Sequence, residues 1–232
     1  MSEDFLDRLK LEVLVFPNPN TVLLGLALTR QIIEKQLDVA RHDEILQLRR
    51  EHLRKGADLH PEDKELDEVE TEQRVTLLLP KIIRGGFVLV MWSAFESSTK
   101  EMAAYASRET GRLIDPKLFR NKNFFDASKH AFKATAGLEA FPDSEVEKQL
   151  RVLWEIRNTL VHHDGKSAEL AENVRVRGVL FLESLGLQIE KDHVREYIVP
   201  TAIFVGRNLS LIDCCLRSLA KRLFNTLHPS QP

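Results

Sequence analysis

Hydrophobic residues recur every three to four positions over most of the chain, which is the period of an amphipathic α-helix. Turn-forming residues divide this pattern into five long stretches. We predict helices over Thr21 to about Lys55, Leu77 to Gly111, Asn121 to Gly137, Ser144 to His163 and Thr201 to Phe224. The stretch from Phe87 to Phe95 is apolar on nearly all sides, as expected of a helix at the centre of a bundle.

The period changes to two between the fourth and fifth predicted helices. Leu185, Leu187 and Ile189 alternate with polar residues, Glu190–Asp192 predicts a turn, and Val194–Val199 predicts a returning strand. The sequence therefore predicts an all-α fold: a helical bundle of about five long helices with a short β-hairpin insertion before the last helix.

Local signals predict where the helices begin and end. Ser144 with Glu147 three residues later has the spacing of a capping box, and Asp164–Gly165 predicts the stop of the same helix. Pro80 predicts a break or kink, because proline fits the first turn of a helix better than its interior.

Domain organisation follows from the polar stretch Gly56–Glu72, which we interpret as an exposed connection. We accordingly predict an N-terminal helical elaboration with this connection over residues 1–76, and the main helical bundle over residues 77–232.

Charge and composition restrict the classes of function. The chain has 33 Lys and Arg against 35 Asp and Glu, a net charge of −2, which argues against coating nucleic acid or anionic membrane through bulk charge. The only two cysteines, Cys214 and Cys215, are adjacent and supply neither a disulfide framework nor a four-ligand zinc site. Their place on an apolar helix predicts that they are core residues of a protein in a reducing compartment.

The most apolar stretch, Val75–Phe95, is interrupted by Lys81, Arg84 and a pair of glycines, which favours burial in a bundle over a membrane span. The acidic start Met1–Asp4 lacks the basic-then-apolar order of a signal peptide. We expect a cytoplasmic protein without membrane contact.

Arg157 is the strongest local anomaly in the pattern. The apolar stripe of its helix consists of Val146, Leu150, Leu153, Leu160 and Val161. At 100° per residue, Arg157 lies within about 10° of the centre of that stripe. A guanidinium cannot shed its charge, and an unpaired buried charge costs several kcal/mol. Arg157 must therefore meet a carboxylate, a ligand anion or a water-filled groove.

Arg157 is followed directly by Asn158 and, after four intervening residues, by His162. Similar Arg-to-His spacings occur at Arg54–His60 and Arg222–His228, but neither has the buried-stripe position or the adjacent asparagine. Around the motif lie a Phe-rich helix before it, an Asp-Gly break after it, and the Leu79–Pro80 entry into a helix that carries Trp92 and Phe95–Glu96. In motif and context the chain resembles the HEPN superfamily of helical-bundle proteins over roughly Leu77 to Phe224.

The resemblance implies a metal-independent endoribonuclease that uses no cofactor and acts on RNA as a symmetric homodimer, with both motifs lining one groove. Arg157 would bind the scissile phosphate, His162 would shuttle protons, and Asn158 would bond the phosphate or orient the histidine. Products would carry 2′,3′-cyclic phosphates. Toxin–antitoxin systems and antiviral defence are the settings that the resemblance implies, with an antitoxin or a nucleotidyltransferase as candidate partner.

The chemistry itself explains why a dimer is needed. Attack by the ribose 2′-OH requires a base for its proton, positive charge for the five-coordinate phosphate, and an acid for the leaving 5′ oxygen. Histidine suits the proton transfers and arginine suits the phosphate. One Arg157 and one His162 do not cover three tasks, whereas two copies do.

Helix geometry leaves alternatives open at this site. On an ideal helix the directions of Arg157 and His162 differ by about 140°. Either the helix tightens or frays before Asp164–Gly165, or the histidine serves the other chain's half of the groove. His163 is the alternative imidazole, and Glu96 is a family-based partner for Arg157, with Glu101 also available.

A basic stretch before the motif helix is a candidate for following an RNA backbone. It comprises Lys117, Arg120, Lys122, Lys129 and Lys133, of which we select Arg120, Lys122 and Lys129. Plain solvated surface is the simpler explanation of such a stretch.

Two other functions compete with the ribonuclease. One is a non-catalytic HEPN-like dimeric module that binds a protein or nucleotide in the groove. The other is a purely structural all-α protein in which Arg157 is paired with an internal glutamate. No His-x-Glu zinc motif, Gly-rich phosphate loop or Ser-His-Asp set with supporting sequence context is present, so we expect neither a metal nor a cofactor.

Overall fold

The computed structural model describes residues 19–55, 60–115, 117–121, 123–170, 178–191 and 195–229. Its α-helices are α1 (Pro19–Lys55), α2 (Pro61–Gln73), α3 (Leu79–Thr110), α4 (Leu118–Asn121), α5 (Phe124–Ala136), α6 (Ser144–His162), α7 (Gly178–Ser184) and α8 (Ala202–Leu227). Strands β1 (Leu187–Lys191) and β2 (Glu196–Pro200) pair antiparallel, with Leu187 opposite Pro200. The all-α bundle with a β-hairpin before the last helix is confirmed.

The segment predicted as an exposed connection is helical. Residues 56–59 lie outside the described residues, but Pro61 begins α2, where its missing N–H would have no partner in any case. A π-helical segment, Arg74–Leu78, joins α2 to α3 without a break, and the Leu79 N–H bonds the Arg74 carbonyl. The irregularity predicted at Pro80 thus takes the form of a wider turn just before it. The boundary predicted between residues 76 and 77 falls inside this continuous helix.

The chain divides into two compact units. Within the described residues, the first contains residues 19–26, 90–153 and 208–229, and the second contains residues 27–89 and 154–207. Helices α3, α6 and α8 contribute residues to both units.

Aromatic side chains form the core of the first unit. Trp92 and Phe95 of α3 meet Phe124 and Phe125 of α5 with ring centroids 5.5 to 6.1 Å apart, mostly edge to face. Phe141, just before α6, packs on the two α5 rings at 5.6 and 6.5 Å. Each such pair contributes about 0.5–1.5 kcal/mol beyond its burial. This cluster explains the Phe-rich pattern that the sequence shows before the motif helix.

The hairpin organises the second unit. Ile198 and Val199 of β2 are fully buried, and the Ile198 N–H donates to the Gly165 carbonyl at 2.8 Å. Lys166 continues this contact as an isolated bridge to Tyr197. The chain just after α6 is therefore held by β2, which fixes the end of the helix that carries the Arg157 motif.

Candidate functional site

Helix α6 owes its start to an aspartate. The Asp143 Oδ1 accepts hydrogen bonds from the backbone N–H groups of Glu145 (2.8 Å) and Val146 (3.3 Å). Asp143 is thus the N-cap and Ser144 is the first helical residue, so the predicted capping box of Ser144 with Glu147 is wrong. The Glu147 carboxylate instead pairs with Lys129 and Arg151. The negative charges of Glu145 and Glu147 in the first turn interact favourably with the positive end of the helix dipole.

The buried face of α6 turns around the helix as it advances. Leu150, Leu153, Ile156 and Thr159 are the buried residues, each no more than 2% exposed. Successive members are three residues apart, so the buried direction shifts by about 60° at each step. Near residue 157 the buried face centres on Ile156. Arg157 is therefore half-buried at the edge of the buried face, not at its centre as the pattern predicted.

The Arg157 guanidinium is partly desolvated and has no acidic partner. Its Nε is buried and has no hydrogen-bond partner among the described residues, while its Nη1 donates to the Asn158 Oδ1 at 2.9 Å. Within the described residues, no carboxylate lies within 4.0 Å of the group. The structural alternative, an internal Arg–Glu pair, has no support in that part of the chain.

His162 is exposed at the last residue of a regular helix. The His163 N–H still bonds the Thr159 carbonyl at 3.1 Å, so α6 neither tightens nor frays before it ends. In the described part of the chain, the His162 imidazole has no hydrogen-bond or ion-pair partner, whereas His163 Nδ1 lies 3.9 Å from Glu169 Oε2. Between the two histidines, His162 is the one whose ring is unengaged.

Asn158 connects Arg157 to the face of His162. Asn158 lies one turn before His162 and only about 40° from it around the helix. Because Arg157 Nη1 is bonded to the Asn158 Oδ1, the guanidinium tip is drawn around α6 toward that face. Helical side chains also lean toward the N-terminus, which directs His162 toward Asn158. The bond to the Asn158 amide thus brings the Arg157 guanidinium closer to the His162 ring than their 140° difference in direction alone would allow.

The turn after α6 is fixed by a residue that sequence reasoning did not select. Asp164 and Gly165 have φ values of 52° and 71°, and Lys81 Nζ lies 3.0 Å from Asp164 Oδ1. The Lys81 side chain is only 11% exposed and sits 4.0 Å above the Tyr197 ring. Its signal in the sequence is a lysine inside an apolar helix.

Glu155 is a second group that sequence reasoning missed. It lies three residues before Asn158 and seven before His162, a spacing that puts all three on one face of α6. Partial burial raises the pKa of the Glu155 carboxyl. The polar face of α6 therefore carries an acid, an amide and an imidazole in succession.

The remaining predicted site residues have other partners. Glu96 pairs with Lys100 at 2.5 Å, and Glu101 accepts a hydrogen bond from Ser97. Lys129 is neutralised by Glu147 at 2.7 Å. The Arg120 side chain and Lys122 lie outside the described residues. A basic surface for RNA is thus left to the exposed Lys117 and Lys133 among the described side chains of that stretch.

The competing pair Arg222–His228 serves the packing of the first unit. Arg222 donates from Nη1 to the Glu139 carbonyl (2.6 Å) and from Nη2 to the Ala140 carbonyl (3.0 Å). His228 Nε2 lies 3.1 Å from the Tyr105 hydroxyl. His228 is therefore engaged in packing, whereas His162 has no side-chain partner among the described residues.

Two further features bear on function. Within the described residues, no three His, Cys, Asp or Glu side chains cluster so as to hold a metal ion. One described helical stretch, Pro61–Thr110, is long and apolar enough to cross a membrane, and 44% of its most apolar window is buried inside the protein. Core helices of soluble proteins meet the same criterion.

Comparison with known proteins adds no relative: neither the protein-family models, nor the curated proteins, nor the solved structures yield a match to this chain.

Proposed function

We propose that this chain is a metal-independent endoribonuclease that cleaves RNA as a homodimer through Arg157, Asn158 and His162. The observation that carries the proposal is the state of the Arg157 guanidinium. It is partly desolvated, has no carboxylate within 4.0 Å in the described part of the chain, and is bonded to Asn158 one turn before an unengaged imidazole. A cation arranged in this way is suited to an external anion.

The proposed reaction is an internal transfer at the phosphate. His162 takes the proton of the ribose 2′-OH, and the 2′ oxygen forms a bond to phosphorus. The bond from phosphorus to the 5′ oxygen then breaks, and this oxygen takes a proton from an imidazolium. Arg157 stabilises the negative charge of the five-coordinate phosphate, and the Asn158 Nδ2 group, which has no partner within the described part of the chain, donates to the same phosphate.

Two imidazoles are needed because one accepts a proton while the other supplies one. One chain brings one unengaged histidine to this end of α6, so the second histidine comes from a second copy. The remaining difference in direction between Arg157 and His162 supports the same arrangement, because each histidine then serves the groove shared by the two chains. We accordingly propose that the monomer is inactive.

Cleavage rates of single-residue variants test the proposal. In the presence of EDTA, the purified protein is expected to cleave unstructured RNA and to leave DNA of the same sequence intact, because DNA lacks the 2′-OH. Removing a general acid–base group costs about 10²–10⁴-fold in rate, so His162→Ala should lose at least about 100-fold. His163→Ala is the matched control and should retain most of the activity. Equal rates for wild type and His162→Ala would contradict the proposal.

A non-catalytic dimeric module that binds a nucleotide or RNA is the alternative function. The bond of Arg157 to Asn158 is the observation behind it, because an anion bound by these two side chains needs no histidine. Under this alternative, Arg157→Ala weakens RNA binding, whereas wild type and His162→Ala bind RNA equally and cleave none.

The proposed cellular setting is the cytoplasm, in toxin–antitoxin or antiviral defence, with an antitoxin or nucleotidyltransferase as partner. Growth after induced expression tests it. We expect arrest with wild type and recovery with Arg157→Ala or His162→Ala at equal protein levels. Equal growth in all three strains would contradict a toxic ribonuclease and favour the binding module.

A further inference from the structure

Trp154 lies beside the Arg157–Asn158 pair on the surface of α6. It precedes Arg157 by three residues and Asn158 by four, the two spacings at which helical side chains are neighbours, with Cβ atoms about 5–6 Å apart. Around the helix its direction falls between theirs, about 60° from Arg157 and about 40° from Asn158. The indole and the guanidinium–amide pair therefore share one surface.

Trp154 differs from the other tryptophan of the chain in what surrounds it. Trp92 is 1% exposed and packs against three phenylalanine rings in the first unit. Trp154 is partly exposed, and among the described residues its ring meets no other aromatic ring and its N–H finds no hydrogen-bond acceptor. Val161, one turn beyond Arg157 on the same side, is 40% exposed. This surface presents an unpartnered aromatic ring next to a cation that lacks a carboxylate.

An aromatic ring beside a phosphate-binding cation matches the two ends of one nucleotide. The ring offers a face for a base, and the guanidinium with the Asn158 amide offers donors for the phosphate. Bases in a duplex are already stacked on their neighbours and present only their edges, whereas unpaired bases are free to stack on a side chain. Stacking tolerates every base, because each has a π-face.

We infer that Trp154 is a stacking platform for a nucleobase next to the phosphate held by Arg157, so that the substrate is unpaired RNA with little base preference at that position. The inference rests on the proposed function for the assignment of Arg157 to phosphate. It assigns Trp154 to substrate binding, outside the proton transfers.

Intrinsic fluorescence provides the test, because Trp92 is buried and Trp154 is the tryptophan within reach of a bound base. The full chain carrying His162→Ala, which does not consume its RNA, is titrated with single-stranded oligouridylate, with a matching duplex and with inorganic phosphate. We expect quenching by the single strand, and little by the duplex or by phosphate. Adding Trp154→Phe should remove the quenching because only Trp92 then emits.

Affinity for oligouridylate, measured with a dye-labelled strand, separates stacking from bulk. Trp154→Leu retains an apolar side chain but loses the ring face, so binding should weaken about tenfold. Trp154→Phe keeps a ring and should bind within about threefold of the parent. Circular dichroism confirms that both variants are folded.

Equal binding by Trp154→Leu and its parent, or equal quenching by duplex and single strand, would overturn the inference. Conversion of both Trp154 variants to monomers in light scattering would also overturn it, because the indole would then be a contact between two copies. Cleavage by the wild type is recorded separately. If the single strand quenches the fluorescence but the wild type cleaves no RNA, the proposed function fails and this inference stands. If the wild type cleaves RNA but Trp154→Leu binds oligouridylate as tightly as its parent, this inference fails and the proposed function stands.

Discussion

Replacing Arg157 by methionine should leave the stability of the fold nearly unchanged. The change removes a buried Nε–H that has no partner in the structure, and an unsatisfied buried donor costs about 1–3 kcal/mol. It also removes the bond from the charged Nη1 to Asn158, which contributes about 1.5–3 kcal/mol. Methionine keeps a similar length at this half-buried position. The two effects nearly cancel, so the free energy of unfolding should change by less than about 1 kcal/mol.

The size of this change separates a functional arginine from a structural one. A guanidinium that neutralises an internal acid is worth about 3–5 kcal/mol when removed, because the acid is left buried and unpaired. Removing a guanidinium that binds an external anion leaves no buried acid unpaired, so this cost does not arise. Urea unfolding followed by circular dichroism gives the free energy, provided that wild type and variant show the same slope.

Arg222→Met is the matched control, because the Nε of Arg222 is also buried without a partner. In contrast to Arg157, this arginine donates to two backbone carbonyls, those of Glu139 and Ala140, at 2.6 and 3.0 Å. Its replacement should lower the free energy of unfolding by roughly 2–4 kcal/mol. If Arg157→Met lowers it by a similar amount, Arg157 is a structural residue and the site assignment fails.

Three further predictions concern stability and reactivity. Burial opposes ionisation of Glu147, but hydrogen bonds from its two cationic neighbours outweigh burial and lower its pKa. Glu147→Gln should therefore cost about 1–2 kcal/mol at pH 7, since the ionised form is what the fold favours. This difference should disappear as the pH falls through the lowered pKa of Glu147 in the folded protein, and an equal cost at neutral and acidic pH in urea unfolding would refute the reasoning. Burial raises the pKa of the Cys215 thiol to about 12, whereas Cys214 is exposed. A thiol reagent at neutral pH should therefore modify one cysteine per native chain and two in denaturant. Rapid modification of both cysteines in the native protein would contradict this prediction. Gly186→Ala should lower the thermal midpoint, because φ is 89° at this residue and a Cβ would lie 2.8 Å from the Phe204 nitrogen. Gly86→Ala lies inside α3, where a Cβ would have no atom within 4 Å, and should raise the free energy of unfolding by about 0.5–1 kcal/mol. Equal thermal midpoints for the two variants would contradict both predictions.

The helices could be predicted from the sequence because their signals are local. The period of apolar residues locates α1, α5, α6 and α8, and the switch to a period of two locates the hairpin. Helix α2 could not be recognised from apolar periodicity, because it is polar and mostly exposed. The continuation of the helix through Pro80 depends on the π-helical segment before it, which the apolar period does not reveal. Cys214 was predicted to be buried with Cys215, but adjacent residues on a helix point about 100° apart and only Cys215 reaches the core.

The candidate site could be predicted in its residues but not in its contacts. Arg157, Asn158 and His162 are close in sequence, so their motif is readable directly. The buried face of α6 turns with each three-residue step, which a fixed stripe does not represent, and this displaced Arg157 from the predicted centre. The contact of Lys81 with Asp164 joins residues far apart in the chain, and no local pattern encodes it.

The chemistry of the RNA ends tests the central claim most directly. Purified wild-type protein is incubated with unstructured RNA in EDTA, beside Arg157→Met and His162→Ala at equal, folded concentrations. The account predicts fragments with 2′,3′-cyclic phosphate and 5′-hydroxyl ends from the wild type, and none above background from either variant. Fragments with 3′-hydroxyl and 5′-phosphate ends, or cyclic phosphates produced equally by all three proteins, would contradict it.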